Sequence, residues 1–305
     1  MQSIDFYIKH PYSFLDSLVL HFCQWLPDSE YIKLRYRCQM GNRLNLIRPK
    51  TFNEKLQWLK LHDHNPKYTK MVDKVLVKEY VSSIVGAEYI VPLLGVWDRP
   101  ENIDWTSLPE RFVLKTNHSG GNTGVIICRD KSTFDKQKAV SKLNASLKQD
   151  IYHNLREWPY KQVKKCVFAE AYIESAPDKK DLPDYKFFCF DGVVKALFVA
   201  TERQNPNEDV KFDFFDENYN HLTVKQGHEN AIVPPSKPKS FEEMKRIAEK
   251  LSKGIPHVRV DLYEANGRPL FGEFTFCHFA GMVPFQPAEW DVRFGEWLDL
   301  PNDIK

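Results

Sequence analysis

The stretch from His257 to Ala280 constrains this chain more than any other. It contains Asn266-Gly267, a dipeptide that accepts positive φ at both central positions of a tight hairpin turn. Before the turn, Arg259 and Asp261 alternate with Val258, Val260 and Leu262; after it, Glu273 and Thr275 alternate with Phe274 and Phe276. Side chains two apart on a strand share a face. A hairpin here would bring Arg259, Asp261, Glu273 and Thr275 together, with the aromatic rings packed behind. Two carboxylates and a further oxygen on rigid strands suit a hard cation such as Mg²⁺, with phosphates completing its shell. The alternative is a solvated polar face on an ordinary hairpin, which the same alternation also produces.

Composition narrows the partners. The chain has 305 residues, 42% of them hydrophobic, enough for one large domain or two to three small ones. Lys and Arg number 43 against 41 Asp and Glu, so no basic face for nucleic acid is implied. The six cysteines, Cys23, Cys38, Cys128, Cys166, Cys189 and Cys277, form no Cys-x-x-Cys pair and read as free thiols of a reducing compartment. Cys277-His278 lacks a second ligand pair at zinc spacing. No secretory signal is legible at the start of the sequence. Phe14 to Leu26 is apolar but contains Asp16 and His21 and is too short for a bilayer span. It reads as an amphipathic helix, with the protein's own core as its expected resting place and a membrane surface as the alternative. The expected compartment is the cytoplasm, with at most peripheral contact with a membrane.

The organisation reads as α+β. Residues 1–90 are expected to be mainly helical. Thr51-Phe-Asn-Glu54 is a capping box opening a helix with Phe52, Leu56 and Leu59 inward, and a second helix is expected over Tyr68 to Ile84. Residues 91–165 should form a small sheet with a helix over Ser132 to Lys148. Residues 166–305 should form a larger antiparallel sheet. Its strands include Tyr185–Phe190 and Val193–Ala200, joined across Asp191-Gly192, and Ser240-Phe-Glu-Glu243 should cap a helix ending at Gly254.

Two further segments carry chemistry. Phe112-Val-Leu-Lys115 leads into a loop containing Gly120, Gly121 and Gly124. Backbone N–H groups of such a loop can approach phosphate oxygens while a lysine neutralises charge. This is not a Walker loop, because the lysine precedes the glycines; the glycines could equally serve turn geometry alone. Val167 to Ile173 is an apolar strand that holds Glu170 and enters a polar linker, a way to build an adenine slot, and Asp184 and Lys186 share one strand face.

In this order, the motifs resemble the ATP-grasp superfamily, whose last element is usually Arg/x-x-Asp with Glu-x-Asn; Thr275 stands where the Asn is common. More closely, the chain resembles the TupA-like ATP-grasp branch, found among surface-polysaccharide genes. The match is carried by Pro49–Trp58, Val72-Asp-Lys74, Phe112–Gly121, Asp184–Gly192 and Gly272–Phe276 and spans roughly residues 30 to 300. The resemblance implies an ATP-grasp fold, with the nucleotide between two α+β subdomains behind a helical N-terminal region. It implies ATP and Mg²⁺. Lys74 and Lys115 would contact the phosphates, and Ser119, Gly120, Gly121, Asn122 and Thr123 would close over them as a lid. Glu170, Ala171, Tyr172 and Ile173 would line the adenine slot, Asp184 would bind ribose and Lys186 would point at ATP. Asp261 and Glu273 would hold one or two Mg²⁺ with Thr275 nearby. Arg259 would face the reacting phosphoryl or acyl group, and Arg259 and Lys115 would be the catalytic pair. A third phosphate lysine would be Lys211 or Lys225.

The implied activity is carboxylate–amine ligation through an acyl phosphate, with a uronic acid or amino acid and an amine donor as substrates. A glycosyltransferase is the first rival, but Asp213-Phe-Phe-Asp216 lacks Asp-x-Asp spacing and no Rossmann fingerprint is present. An ATP-grasp kinase acting on a sugar hydroxyl would share the same nucleotide site. An idle binding module would have lost Lys115, Asp261 or Glu273, and all three are present. His118 and His278 border the reaction centre and are candidate bases, with structural hydrogen bonding as the alternative. Trp58, Trp158 and Trp290 are candidate sugar platforms or core residues.

Overall fold

The computed structural model describes residues 11–121, 123–174, 182–203 and 209–301. In chain order the N-terminal helices are α1 (Pro11–Phe22), α2 (Asp28–Met40), α3 (Phe52–His62), α4 (Lys67–Val72) and α5 (Val77–Val85). They are followed by β1 (Leu93–Trp97), β2 (Phe112–Thr116), β3 (Ile126–Cys128), α6 (Lys136–Leu147), α7 (Ile151–Leu155) and β4 (Val167–Ala171). Then come β5 (Asp184–Phe190), β6 (Val193–Thr201), β7 (Lys211–Asp216), β8 (His221–Leu222), α8 (Phe241–Ser252), β9 (Val258–Ala265), β10 (Arg268–Thr275) and α9 (Glu289–Trp297). The strands form two antiparallel sheets, a small one in the order β1-β4-β2-β3 and a large one in the order β10-β9-β5-β6-β7-β8.

The large sheet is covered on both faces, which is why β5 reads Asp-Tyr-Lys-Phe-Phe-Cys-Phe and is buried throughout. One face packs Tyr185, Phe187, Cys189, Val258, Val260 and Leu262 against α5 and α8. The other packs Phe188, Phe190, Phe198 and Phe214 against Phe52 and Leu56 of α3 and Phe294 of α9. Phe52 meets Phe188, Phe190 and Phe294 edge-on at 5.6–6.1 Å. α9 reaches the start of α3 because Gly295 has no side chain: a Cβ there would lie 2.1 Å from the Lys50 carbonyl oxygen.

Local rules explain most boundaries. The Thr51 capping box is formed in both directions. The expected helix over Tyr68 to Ile84 is instead two helices. Asp73 interrupts it, because its Oδ1 accepts from the N–H groups of Val75 and Leu76 at 2.9 and 3.1 Å, starting a new helix where the apolar periodicity runs on unbroken. Ser240 precedes α8 as expected, but its side chain does not cap it; the Ser240 hydroxyl and N–H both donate to Glu264 Oε1, at 2.7 and 2.9 Å. α1 rests on α2, where Asp16 is bound through both oxygens by Arg35 at 2.7 Å, while Phe22 at its end and Trp25 beyond it are exposed. Among the described residues no helix is long and apolar enough to cross a membrane. All six cysteines are free.

Candidate active site

The Asn266-Gly267 turn has φ of 53° and 73°, as its sequence demands. Glu273 lies opposite Asp261 and Thr275 opposite Arg259. This register depends on a bulge between Phe271 and Glu273. Phe271 pairs with Leu262 on the core face, so an unbulged strand would turn Glu273 into the core as well. Gly272 absorbs the extra residue where a Cβ would lie 3.0 Å from the Tyr263 ring and 3.1 Å from the Asp261 carbonyl oxygen. The bulge brings Glu273 and Thr275 onto the face of Arg259 and Asp261 and returns Phe274 to the core. On the neighbouring strand, Lys186 lies opposite Asp261. Asp184 and Lys186 of β5, Arg259 and Asp261 of β9, and Glu273 and Thr275 of β10 therefore form one charged patch across three adjacent strands.

The patch is internally neutralised. Arg259 donates to both Asp261 oxygens at 2.7 and 2.8 Å and to the Thr275 hydroxyl at 2.9 Å. Lys186 bridges Asp261 and Asp184, at 2.7 Å from the latter, and Arg203 also reaches Asp184 at 2.9 Å. The other Asp184 oxygen, Oδ1, is buried with no hydrogen-bond partner, so a donor such as a hydroxyl is missing there. Burial pushes the Glu273 carboxyl up, but Lys74, Lys186 and Arg259 outweigh it and hold it well below the usual carboxylate range.

Lys74 ties the two sheets together. Its ammonium lies 2.9 Å from Glu273 Oε2 and donates to the Ser119 carbonyl at 2.7 Å. It sits in the break between α4 and α5, clamped to the end of β2. There Asn117 Nδ2 donates to Asp73 at 2.7 Å, and the Lys74 N–H donates to the Asn117 carbonyl. On β2, Lys115 pairs with Glu170, whose second oxygen takes Lys78 at 2.7 Å. Glu170 is raised by burial but held low overall by these two lysines. Lys115, Glu170, Ala171, Tyr172 and Ile173 line a cavity of about 660 Å³ that Arg203 and Tyr263 close from the large sheet.

The glycine loop is anchored at both ends and open between. Ser119 is buried, its hydroxyl 2.6 Å from that of Thr116, while Gly120, Gly121 and Thr123 are exposed. Asn122 lies outside the described residues. Gly124, at φ 79°, closes over three hydroxyls; a Cβ would fall 2.3 Å from Ser146 Oγ and 2.7 Å from Thr116 Oγ1.

The two histidines differ. His278 is fully used: Arg259 donates to its Nδ1 at 2.6 Å, and its Nε2 meets Gln226 Oε1 at 2.9 Å. Burial and the Arg259 charge hold it neutral, so it orients the guanidinium. His118 is buried, and burial with the charges of Lys165 and Lys74 pushes it down to about 4. Lys225 pairs with Glu229, and Lys211 opens β7 opposite Thr201. Trp58 and Trp158 pack on His62 and His64, and Trp290 on Phe294.

Among the described residues no three His, Cys, Asp or Glu converge as a metal cluster. Two facing carboxylates with a hydroxyl suit Mg²⁺, which keeps waters and takes phosphate oxygens; they do not suit zinc. Lys78, Arg203 and Gln226 carried no local sequence signal, since each acts through a partner far away in the chain.

The sequence pattern of one family, described as TupA-like ATPgrasp, matches residues 54–299. No curated protein matches the sequence. Among solved structures, the D-alanine–D-alanine ligase of Bacillus anthracis is 17% identical, with a TM-score of 0.40, over 68% of this chain and 57% of its own. The L-amino acid ligase of Bacillus licheniformis is 14% identical, with a TM-score of 0.47, over 79% and 51%. The ATP-grasp ligase PsnB with minimal precursor, Mg and ADP is 11% identical, with a TM-score of 0.39, over 80% and 60%. This chain thus spans less than two thirds of the length of each of the three.

Proposed function

Because the chain belongs to the TupA-like ATP-grasp family, we propose that it is an ATP-dependent carboxylate–amine ligase that forms an amide through an acyl phosphate. The proposed substrate is a surface polysaccharide or its precursor, with a uronic acid supplying the carboxylate. The observation that carries the reading is the six-residue patch on β5, β9 and β10 facing Lys74 and Lys115, with a nucleotide-sized cavity alongside.

Phosphoryl transfer asks a protein mainly for positioning and charge neutralisation. Lys74 and Lys115 would turn from Glu273 and Glu170 to phosphate oxygens. The unpartnered Asp184 Oδ1 would accept a ribose hydroxyl, and Ala171 to Ile173 would line the base. Asp261 and Glu273, with Thr275 beside them, would hold Mg²⁺, which when bound would neutralise phosphate charge. Arg259, fixed by Asp261, Thr275 and His278, would steady the charge on the transferred phosphoryl and later on the acyl carbon. An acceptor carboxylate oxygen bonds to the γ-phosphorus as ADP leaves. The amine nitrogen then bonds to the acyl carbon, phosphate departs and the nitrogen loses a proton. The exposed glycines between the fixed Ser119 and Gly124 suit a lid that keeps water from the acyl phosphate.

The test is ADP release with Mg²⁺ across paired uronic or amino acids and amines, with product masses recorded. A product one water lighter than the summed substrates is expected. A phosphorylated acid or sugar as the end product would mean a kinase, and no ADP with any pair would defeat the reading.

A further inference from the structure

Helix α3 carries three buried polar side chains, Asn53, Gln57 and Lys60, spaced to lie on one face. All three reach a single short stretch of backbone, the turn that follows β10. Lys60 Nζ donates to the Ala280 carbonyl at 2.7 Å and to Gln57 Oε1 at 3.0 Å. Gln57 Nε2 donates to the carbonyls of Ala280 and Gly281 at 2.9 and 2.8 Å. Asn53 Nδ2 donates to the Val283 carbonyl at 3.2 Å. Lys60 is 4% exposed, and these bonds take it to neutral oxygens; Glu157 is near enough for its charge to be felt but forms no ion pair with it. Burying an ammonium without a carboxylate bound to it is unfavourable, and a core that needed only filling would hold an apolar side chain there.

The turn so gripped is strained. Phe279 and Ala280 have φ of 48° and 54°, in the left-handed region that residues other than glycine rarely occupy, and Gly281 follows at 63°. Such a backbone persists only where its surroundings fix it. The fit is close: a Cβ on Gly281 would lie 2.4 Å from Gln57 Nε2. The turn opens with His278. Arg259 donates to its Nδ1 at 2.6 Å, so its Nε2 carries the proton and donates to Gln226 Oε1 at 2.9 Å. Gln226 Nε2 donates in turn, at 2.9 Å, to the Val283 carbonyl that Asn53 also holds. The backbone on which the imidazole stands and the amide that holds its far side are therefore both tied to α3.

We propose that the Asn53, Gln57 and Lys60 face of α3 is a positioning device for Arg259. It holds the strained turn, the turn aims His278, and His278 fixes Nη1, the guanidinium nitrogen that Asp261 does not take. Lys60 and Gln57 touch no reacting atom in this scheme; they act through His278. The consequence for turnover rests on the ligase reading of the site, whereas the hold on the guanidinium does not.

The experiment compares the wild type, Lys60→Met and Lys60→Met with Ala280→Gly in two readings. One is the rate at which the guanidinium N–H groups of Arg259 exchange with water, followed by NMR and assigned with Arg259→Lys. The other is ADP release from Mg·ATP with D-glucuronate and L-glutamate as probe substrates. Lys60→Met is expected to speed the exchange at least about fivefold. It should lower kcat about tenfold while the KM for ATP stays within about twofold. Glycine adopts positive φ without strain, so adding Ala280→Gly should recover at least about threefold of the lost rate. Gln57→Met, read in the same way, stands in if Lys60→Met does not fold. Unchanged exchange in a folded Lys60→Met or Gln57→Met protein would overturn the inference, as would a kcat loss that Ala280→Gly does not relieve. Two variants that both fail to fold would make the clamp a structural element and overturn it too. If the wild type releases no ADP with any substrate pair, the ligase reading is at fault, and the Arg259 exchange still decides whether α3 holds the guanidinium.

Discussion

The charged patch of the large sheet and the glycine loop that follows β2 of the small one are built on opposite plans. In the patch nearly every group is spoken for: Arg259 alone makes contacts with Asp261, Thr275 and His278. Around the loop there is open space: a Cβ at Gly120 or Gly121 would meet nothing within 4 Å. A saturated network resists reorganisation and so can present charge at fixed positions. An open, glycine-rich segment has few contacts to lose when a ligand arrives. The pairing of a rigid charge platform with an adaptable cover is the physical content of the proposed mechanism.

The largest expected effect lies at a second saturated cluster, around Glu170 of the small sheet. Glu170→Ala leaves Lys78 and Lys115 facing each other without their carboxylate, and should cost about 3–5 kcal/mol by urea denaturation. A loss below about 1 kcal/mol would mean that the pair is not a structural unit.

Acid probes the buried histidines beside the patch. Burial pushes His257 down to about 3, and burial with the Arg259 charge pushes His278 down, so both stay neutral in the fold. An unfolded histidine titrates near pH 6.5, so below that value the unfolded chain binds protons that the fold refuses. Stability is then lost as pH falls from about 6.5 toward 3, by on the order of 1 kcal/mol per pH unit for each ring. Below about pH 4.5, protonation of Glu273 and Glu170, both held low in the fold, adds to the loss. Denaturation midpoints that stay flat between pH 7.5 and 5 would contradict the buried neutral state.

Two glycines a few residues apart separate the anchored from the open part of the loop. Gly124→Ala drives a Cβ into the Ser146, Thr116 and Ser119 hydroxyls at positive φ and should cost about 2–3 kcal/mol. Gly121→Ala, also at positive φ but in open space, should cost about 1 kcal/mol. Comparable losses at the two positions would erase the distinction.

The same contrast governs how much could be read from sequence. The patch was legible because period-2 alternation and the Asn266-Gly267 turn are local signals, and Asp184 and Lys186 share a face for the same reason. Even there the reading worked only because Gly272 bulges, a shift that alternation alone does not reveal. The Thr51 cap was local and legible. The split at Asp73 was encoded in an Asp whose side chain captures nearby N–H groups, but an unbroken apolar period masked it. Glu264 drew Ser240 away from its expected capping role across 24 residues of sequence separation. The contact of Gln226 with His278, that of His278 with Arg259, and that of Lys78 with Glu170 arise from tertiary packing with no local pattern.

The central claim is that Asp261 and Glu273 form the charge platform on which Mg·ATP is turned over. The most direct test is Glu273→Gln, which preserves volume and removes one anionic oxygen donor, assayed for Mg²⁺-dependent ADP release beside the wild-type protein with its melting curve recorded. The account predicts a loss of about 100-fold or more with the fold intact; full turnover in a folded Glu273→Gln protein would contradict it.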